Sequence, residues 1–303
     1  MNLYEEFLTN CRICPNECGV NRLEGNISVC NAGVLPKVAK ASLHYWEEPC
    51  ISGEKGSGAV FFSNCNLACA FCQNYKISHE GFGKEISIEE LSQVFLNLQN
   101  QGALNINLVS ATQYIPQVAE ALKISKENGL TIPVIYNSNG YESLEGLKIL
   151  YGLIDVYLPD LKYFDNKYAV KYSSANDYFY NTTQAILSMY NQVGVPVYDD
   201  DGIIKKGLMI RHLLLPGLKE DSKKVLKWIK DNLPLEIPIS LMVQYTPVYK
   251  ALCMDEINRR ITEDEYEEII DYFFEIGLEN GLAQDYSSAT TDYTPIFDLT
   301  GLK

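Results

Sequence analysis

The stretch Cys65-Asn66-Leu67-Ala68-Cys69-Ala70-Phe71-Cys72 decides how this chain is read. It follows the apolar run Gly58 to Ser63 (GAVFFS), which has the length and composition of a buried strand. The three cysteines therefore fall in the loop that this strand delivers. Thiolates hold iron–sulfur clusters, and a cubane normally takes four of them. Three thiolates leave one iron open, much as a catalytic zinc keeps an open position for chemistry. The competing readings are a structural zinc site, with Cys50 or His79 as fourth ligand, and a plain electron-transfer cluster.

The rest of the composition narrows the setting. A chain of 303 residues with 47% hydrophobic content can fill one large α/β barrel or two ordinary domains. The net charge of −14 argues against a general grip on nucleic acid or anionic lipid, which needs clustered Lys and Arg. No run approaches the roughly 20 apolar residues of a spanning helix. The N-terminal MNLYEEFL carries acids where a signal peptide carries bases. A cytoplasmic protein with neither membrane nor nucleic-acid partner is expected. Nine cysteines, seven of them in two tight groups, suit metal ligation in a reducing compartment better than a disulfide framework.

The other group is Cys11, Cys14, Cys18 and Cys30, in a Gly/Asn-rich segment with too little apolar content for a core of its own. It reads as a four-thiolate site for zinc or a second iron centre that folds this segment, against the alternative of four reduced cysteines without metal. Gly53 to Gly58 (GEKGSG) superficially suggests a phosphate loop. It lacks both the Gly-Lys-Ser/Thr ending and the preceding strand, so it reads as a turn.

Downstream, strands are expected over 105–110, 131–136, 154–158, 207–214 and 237–244, with a short one at 282–285 and a turn-rich tail over 286–303. Helices fall between them, two with capping boxes at Ser87/Glu90 and Thr262/Glu265. This alternation implies the α/β class: a partial (β/α)6-type TIM barrel with a small N-terminal cysteine-rich segment. Residues 1–50 are assigned to that segment and 51–303 to the barrel. Barrel active sites are built at the C-terminal ends of the strands. The cysteine loop sits at one such end, with Ser110–Gln113, Asn137–Asn139, Asp160–Lys162, His212–Pro216 and Gln244–Thr246 at others.

Cys-x3-Cys-x-aromatic-Cys after the first barrel strand resembles the radical S-adenosylmethionine (SAM) superfamily. Over essentially the whole chain the sequence is similar to its PflX-like branch, related to the pyruvate formate-lyase-activating enzymes. The matching stretches are Cys11 to Arg22, Phe61 to Tyr75, Asn105 to Val109, Tyr157 to Lys162 and Arg211 to Pro216. The resemblance implies that Cys65, Cys69 and Cys72 hold a [4Fe–4S] cluster whose open iron is chelated by SAM. Reductive cleavage would give a 5′-deoxyadenosyl radical that abstracts hydrogen from a substrate. It further implies Phe71 beside the adenine, and Asp160, Lys162, Asn137 and Ser138 facing SAM. Where the activating enzymes carry Gly-Gly-Glu, this chain has Ser110-Ala111-Thr112-Gln113, so Ser110 and Thr112 are assigned to the SAM ammonium.

The resemblance also implies a reduced flavodoxin or ferredoxin-like electron donor and an activase-like reaction on a protein substrate. The alternatives are radical modification of a small molecule or RNA, or, in a different class, a non-catalytic electron-transfer protein. Asp160 and Lys162 also read as a plain surface ion pair, and Arg211 and His212 as sheet caps or carboxylate binders.

Overall fold

Runs of branched and aromatic residues form strands here because both of their faces can be buried. The computed structural model describes residues 3–283 and 295–302. In chain order the strands are β1 (Lys37–His44), β2 (Ser57–Phe62), β3 (Lys84–Glu85), β4 (Ile106–Val109), β5 (Val134–Ser138), β6 (Val156–Pro159), β7 (Val197–Tyr198), β8 (Ile204–Leu208), β9 (Ile210–Leu213), β10 (Ile239–Met242) and β11 (Gly281–Ala283). Eight of them form a sheet in the order β3-β1-β2-β4-β5-β6-β8-β7, and β11-β10-β9 form a second. The pairs β2–β4, β4–β5, β5–β6 and β6–β8 are parallel, as are β9–β10 and β10–β11. The two sheets are joined by the nearly continuous run β8–β9 and by a parallel bridge between Asp160 and Arg211. The expected partial barrel is present.

Helices cover the outer face at Ile88–Asn100, Ile115–Glu127, Leu144–Ile149, Tyr178–Val193, Lys219–Asn232 and Glu263–Glu275. Both capping boxes form: Ser87 Oγ accepts from Glu90 N at 3.1 Å, and Thr262 Oγ1 accepts from Glu265 N at 3.2 Å. No helix among the described residues is long and apolar enough to cross a membrane.

Three local departures from the sequence reading have physical causes. Residues 131–133 lie outside β5, and the Thr131 and Ile132 amides donate to Gln99 Oε1 instead of to a neighbouring strand, at 2.7 and 3.2 Å. The strand expected over 207–214 breaks at Met209. Gly207 has φ +120°, and a Cβ there would lie 2.5 Å from Pro196 Cα, so the chain turns from one sheet to the next. Residues 37–44, placed with the N-terminal segment, form β1, antiparallel to β2 within the barrel sheet. Of the strand expected at 282–285, Leu282 and Ala283 belong to β11. Residues 284 and 285 lie outside the described residues, as does most of the tail.

The turn Asn139–Gly140 carries the chain out of β5 beside the end of β6. Gly140 has φ +79°, and a Cβ there would meet Asp160 O at 2.2 Å and Thr182 Cγ2 at 2.7 Å. Gly140→Ala therefore combines a disfavoured φ with a backbone clash. It is expected to cost about 2 kcal/mol or more, read as a lower urea midpoint at unchanged slope.

Candidate active site at the mouth of the barrel

A cavity of about 530 Å³ opens at the C-terminal ends of the parallel strands. Cys65, Cys69, Cys72 and Phe71 line one part of it. Ser110, Asn137, Ser138, Asp160 and Lys162 line another, and Glu47, Glu48 and Arg211 a third. Thr112 does not line it. Its side chain is fully buried and donates to Glu142 Oε1 at 2.6 Å, so it is not placed for the SAM role assigned from the resemblance.

The cysteine loop is held from two sides. Ala68 N and Ala70 N donate to Ser173 O and Tyr172 O at 3.0 and 2.7 Å, tying the loop to the end of the helix Asn166–Ser173. From the other side Gln113 Nε2 donates to Ser63 O and Asn64 O at 3.0 and 3.1 Å. Each sulfur also has a polar neighbour. Cys69 Sγ is 3.1 Å from Ser173 Oγ and Cys72 Sγ 3.1 Å from Ser78 Oγ, while Cys65 Sγ accepts from Leu67 N and Asn139 Nδ2, both at 3.4 Å.

Burial nonetheless dominates the thiol chemistry. It raises Cys65 far above the usual thiol range, pushes Cys72 up to about 11 and raises Cys69, with nearby Lys162 pulling Cys69 the other way. Thiolates buried like this need a cation against them.

The donor set fits an iron–sulfur cluster better than zinc with a fourth protein ligand. His79 directs Nε2 to Cys69 O at 3.1 Å and stacks on Tyr249, while Cys50 packs in a separate apolar cluster with Ile135 and Val156. Among the described residues neither His79 nor Cys50 is therefore placed as a fourth ligand beside the three thiols.

Opposite the cysteines, Lys162 and Asp160 form an ion pair with side chains 10% and 19% exposed. Burial opposes the Lys162 charge, but Asp160, Tyr178 and Cys69 together hold it above the usual lysine range. The pair is thus part of the cavity wall rather than a surface bridge. Ser110 sits at φ +59°, its amide on Asn137 O at 2.9 Å and its carbonyl accepting from Gln113 Nε2 at 2.8 Å. Ser138 Oγ accepts from Gly140 N at 3.1 Å. Phe71 meets Tyr245 edge-on, ring centres 5.8 Å apart.

Glu47, Glu48 and Asn107 were not singled out from the sequence. Arg211 Nε donates to Glu48 Oε1 at 2.8 Å, its Nη2 also reaches Glu47, and its Nη1 reaches Asn137 Oδ1 at 3.3 Å. Asn107 Nδ2 donates to Glu47 Oε1 at 3.1 Å. No spacing signal marks these carboxylates, because they follow β1, a strand the sequence reading lacked. His212 takes no part in the cavity. Burial lowers it to about 4, and its Nδ1 donates to Leu161 O at 2.6 Å.

The profile of the radical SAM superfamily matches residues 59–229, more than half of the chain, from β2 through the cavity wall. The chain belongs to the radical SAM superfamily. Its cofactors are accordingly a [4Fe–4S] cluster and SAM, and it is an enzyme. It is 29% identical over 279 residues to an uncharacterised protein of Methanocaldococcus jannaschii, covering 89% of this chain and 76% of that one. It is 26% identical over 180 residues to the pyruvate formate-lyase-activating enzyme of Clostridium pasteurianum, covering 57% of this chain and 68% of that one. Among solved structures, Streptococcus suis SuiB bound to its precursor peptide SuiA shares the fold at TM-score 0.50 and 12% identity. That match covers 73% of this chain and 46% of SuiB, so the chain spans about half the length of that protein.

Glu142, which holds Thr112 out of the cavity, offers a pH test. Burial lifts its carboxyl from 4.5 to about 8. Above about pH 4.5 the unfolded chain loses this proton while the folded chain keeps it, so stability falls as pH rises toward 8. Glu142→Gln removes that loss. Its stability relative to wild type, measured by urea unfolding, is expected to improve by about 3 kcal/mol between about pH 5 and pH 8.

Proposed function

We propose that Cys65, Cys69 and Cys72 hold the [4Fe–4S] cluster, and that SAM lies across the cavity against Phe71, Ser110, Asn137, Ser138, Asp160 and Lys162. The observation that carries this reading is that three thiols, without a converging fourth ligand among the described residues, share one cavity with a buried ion pair. When bound, the cluster and SAM supply one-electron cleavage of a sulfonium, which begins hydrogen abstraction.

The chain's own residues would position and tune. Ser173, Ser78, Asn139 and the Leu67 amide stand where they offer hydrogen bonds to the three sulfurs and so bear on the cluster's potential. Lys162 and Asp160 supply opposite charges suited to the carboxylate and ammonium of SAM. Phe71, held by Tyr245, gives the adenine an aromatic wall, and the buried walls keep water from the reacting centre.

The substrate proposed is a protein or peptide backbone, in an activase-like hydrogen abstraction, with a reduced flavodoxin or ferredoxin-like protein as electron donor. The similarity to an activating enzyme over part of the chain supports this choice. The SuiB relative, bound to a peptide, is compatible with it. A pure electron carrier has no use for a ligand cavity lined with fixed charges.

Anaerobically reconstituted protein given dithionite and SAM is expected to release 5′-deoxyadenosine and methionine. Cys69→Ala should lose cluster absorbance and product together, whereas product formation at the wild-type rate would defeat the ligand assignment. Lys162→Met should keep the cluster and bind SAM about ten-fold or more weakly by equilibrium titration. Deuterium transfer into 5′-deoxyadenosine from deuterated cell protein, and not from the small-molecule fraction, would identify the substrate class.

A further inference from the structure

A second set of thiols lies outside the cavity, behind the cysteine loop. Cys11, Cys14 and Cys30 are buried and Cys18 is half-buried. Cys11 stands within electrostatic reach of Cys18 and Cys30, and Cys14 within reach of Cys11 and Cys30. Among them lies a charge that the fold otherwise leaves unexplained. Arg22 is 2% exposed; its Nη2 donates to Cys11 Sγ at 3.1 Å and contacts Cys30 Sγ at 3.7 Å. Its Nη1 donates to Gln113 O at 2.6 Å, and its Nε is buried without a partner.

A guanidinium stays protonated at any pH this fold would meet. Removing it from water without an anion costs several kcal/mol. No carboxylate among the described residues pairs with Arg22, so the sulfurs are its only anion candidates. Neutral thiols would leave one uncompensated positive charge in the interior. Four thiolates without a cation would leave a larger negative one. Four thiolates around a divalent ion, or around a four-iron cluster, carry a charge of about −2, and a buried arginine offsets part of it.

We propose that Cys11, Cys14, Cys18 and Cys30 hold a thiolate-bound metal centre, iron–sulfur or zinc, and that Arg22 is its buried counter-charge. Loading would release the thiol protons to solvent. The centre also has a structural consequence for the active site. Asn16 Nδ2 donates to Asn66 O at 2.8 Å, within the cysteine loop, and Asn64 Nδ2 donates to Asn31 O at 3.0 Å. On the far side Ser143 Oγ donates to Ile13 O at 2.7 Å, and Gly146 leaves no space there, a Cβ falling 2.6 Å from the same oxygen. A metal that shapes residues 11–31 thereby braces the loop that carries Cys65 and Cys69. This inference does not depend on how the barrel cysteines are used.

The test separates the two sites. The full chain with Cys65, Cys69 and Cys72 all changed to alanine is purified without oxygen, and its iron and zinc are measured. It is expected to retain iron or zinc with a sulfur-only shell by X-ray absorption, and to lose it when Cys11→Ser and Cys30→Ser are added. A folded triple-alanine chain with no metal above the buffer blank would overturn the proposal. Should that chain fail to fold, the reconstituted wild type decides: metal in excess of the barrel's four irons supports the second centre, and four irons alone overturn it. Arg22→Met is expected to weaken retention against a competing chelator about 10- to 100-fold, with Arg22→Lys partly restoring it. Unchanged retention in Arg22→Met would remove the counter-charge role.

Discussion

Sulfur atoms buried at the mouth of a barrel cannot carry charge unless something positive stands against them, and this constraint organises much of the chain. Three thiols in the cysteine loop are desolvated enough that their protonated forms are strongly favoured without metal. Side-chain and backbone donors sit at each sulfur, and the Lys162 ammonium lies close enough to bear on Cys69. The loop that presents them is tied to Tyr172 and Ser173 on one side and to Gln113 on the other, so the sulfurs are placed before any cofactor arrives.

Gln113 also links the two cysteine groups. Its side-chain amide donates to three carbonyls at the ends of β2 and β4, while its own carbonyl receives the Arg22 guanidinium. One residue after the second barrel strand thereby fastens the cysteine loop to the N-terminal segment. Thr112 turns inward to Glu142, and only Ser110 of the pair remains at the cavity.

The third wall depends on a bridge between sheets. Arg211 on β9 reaches Glu47 and Glu48 after β1, and Asn137 on β5. Breaking one member of such a buried set would strand the others, at a cost of about 3–5 kcal/mol. Strand β1, which leads into the two glutamates, is covered along part of its edge by the segment around residues 297–300. Ala41 N donates to Thr300 O at 2.8 Å, Leu299 N donates to Ala39 O at 3.0 Å, and Phe297 packs edge-on against Phe61. The segment covers backbone groups that would otherwise offer a pairing edge.

The sequence by itself determined the strand–helix alternation, the two capping boxes and the cysteine loop, because each depends on residues a few positions apart. The spacing of Cys65, Cys69 and Cys72 at a strand end, and the Asp160-x-Lys162 pattern at another, were legible for the same reason. Only the tertiary structure decided which polar residues share the cavity. Thr112 and Ser110 are two positions apart, yet the left-handed turn at Ser110 sends one to Glu142 and leaves the other in the wall. Glu47 and Glu48 gain meaning only when β1 folds back against β2 and brings them to Arg211, more than 160 residues away. Arg22 likewise reads as an ordinary surface cation until packing removes its water and leaves it facing sulfur. Local pattern sets what an element is; which charges must answer one another is set by burial, and burial is a property of the whole fold.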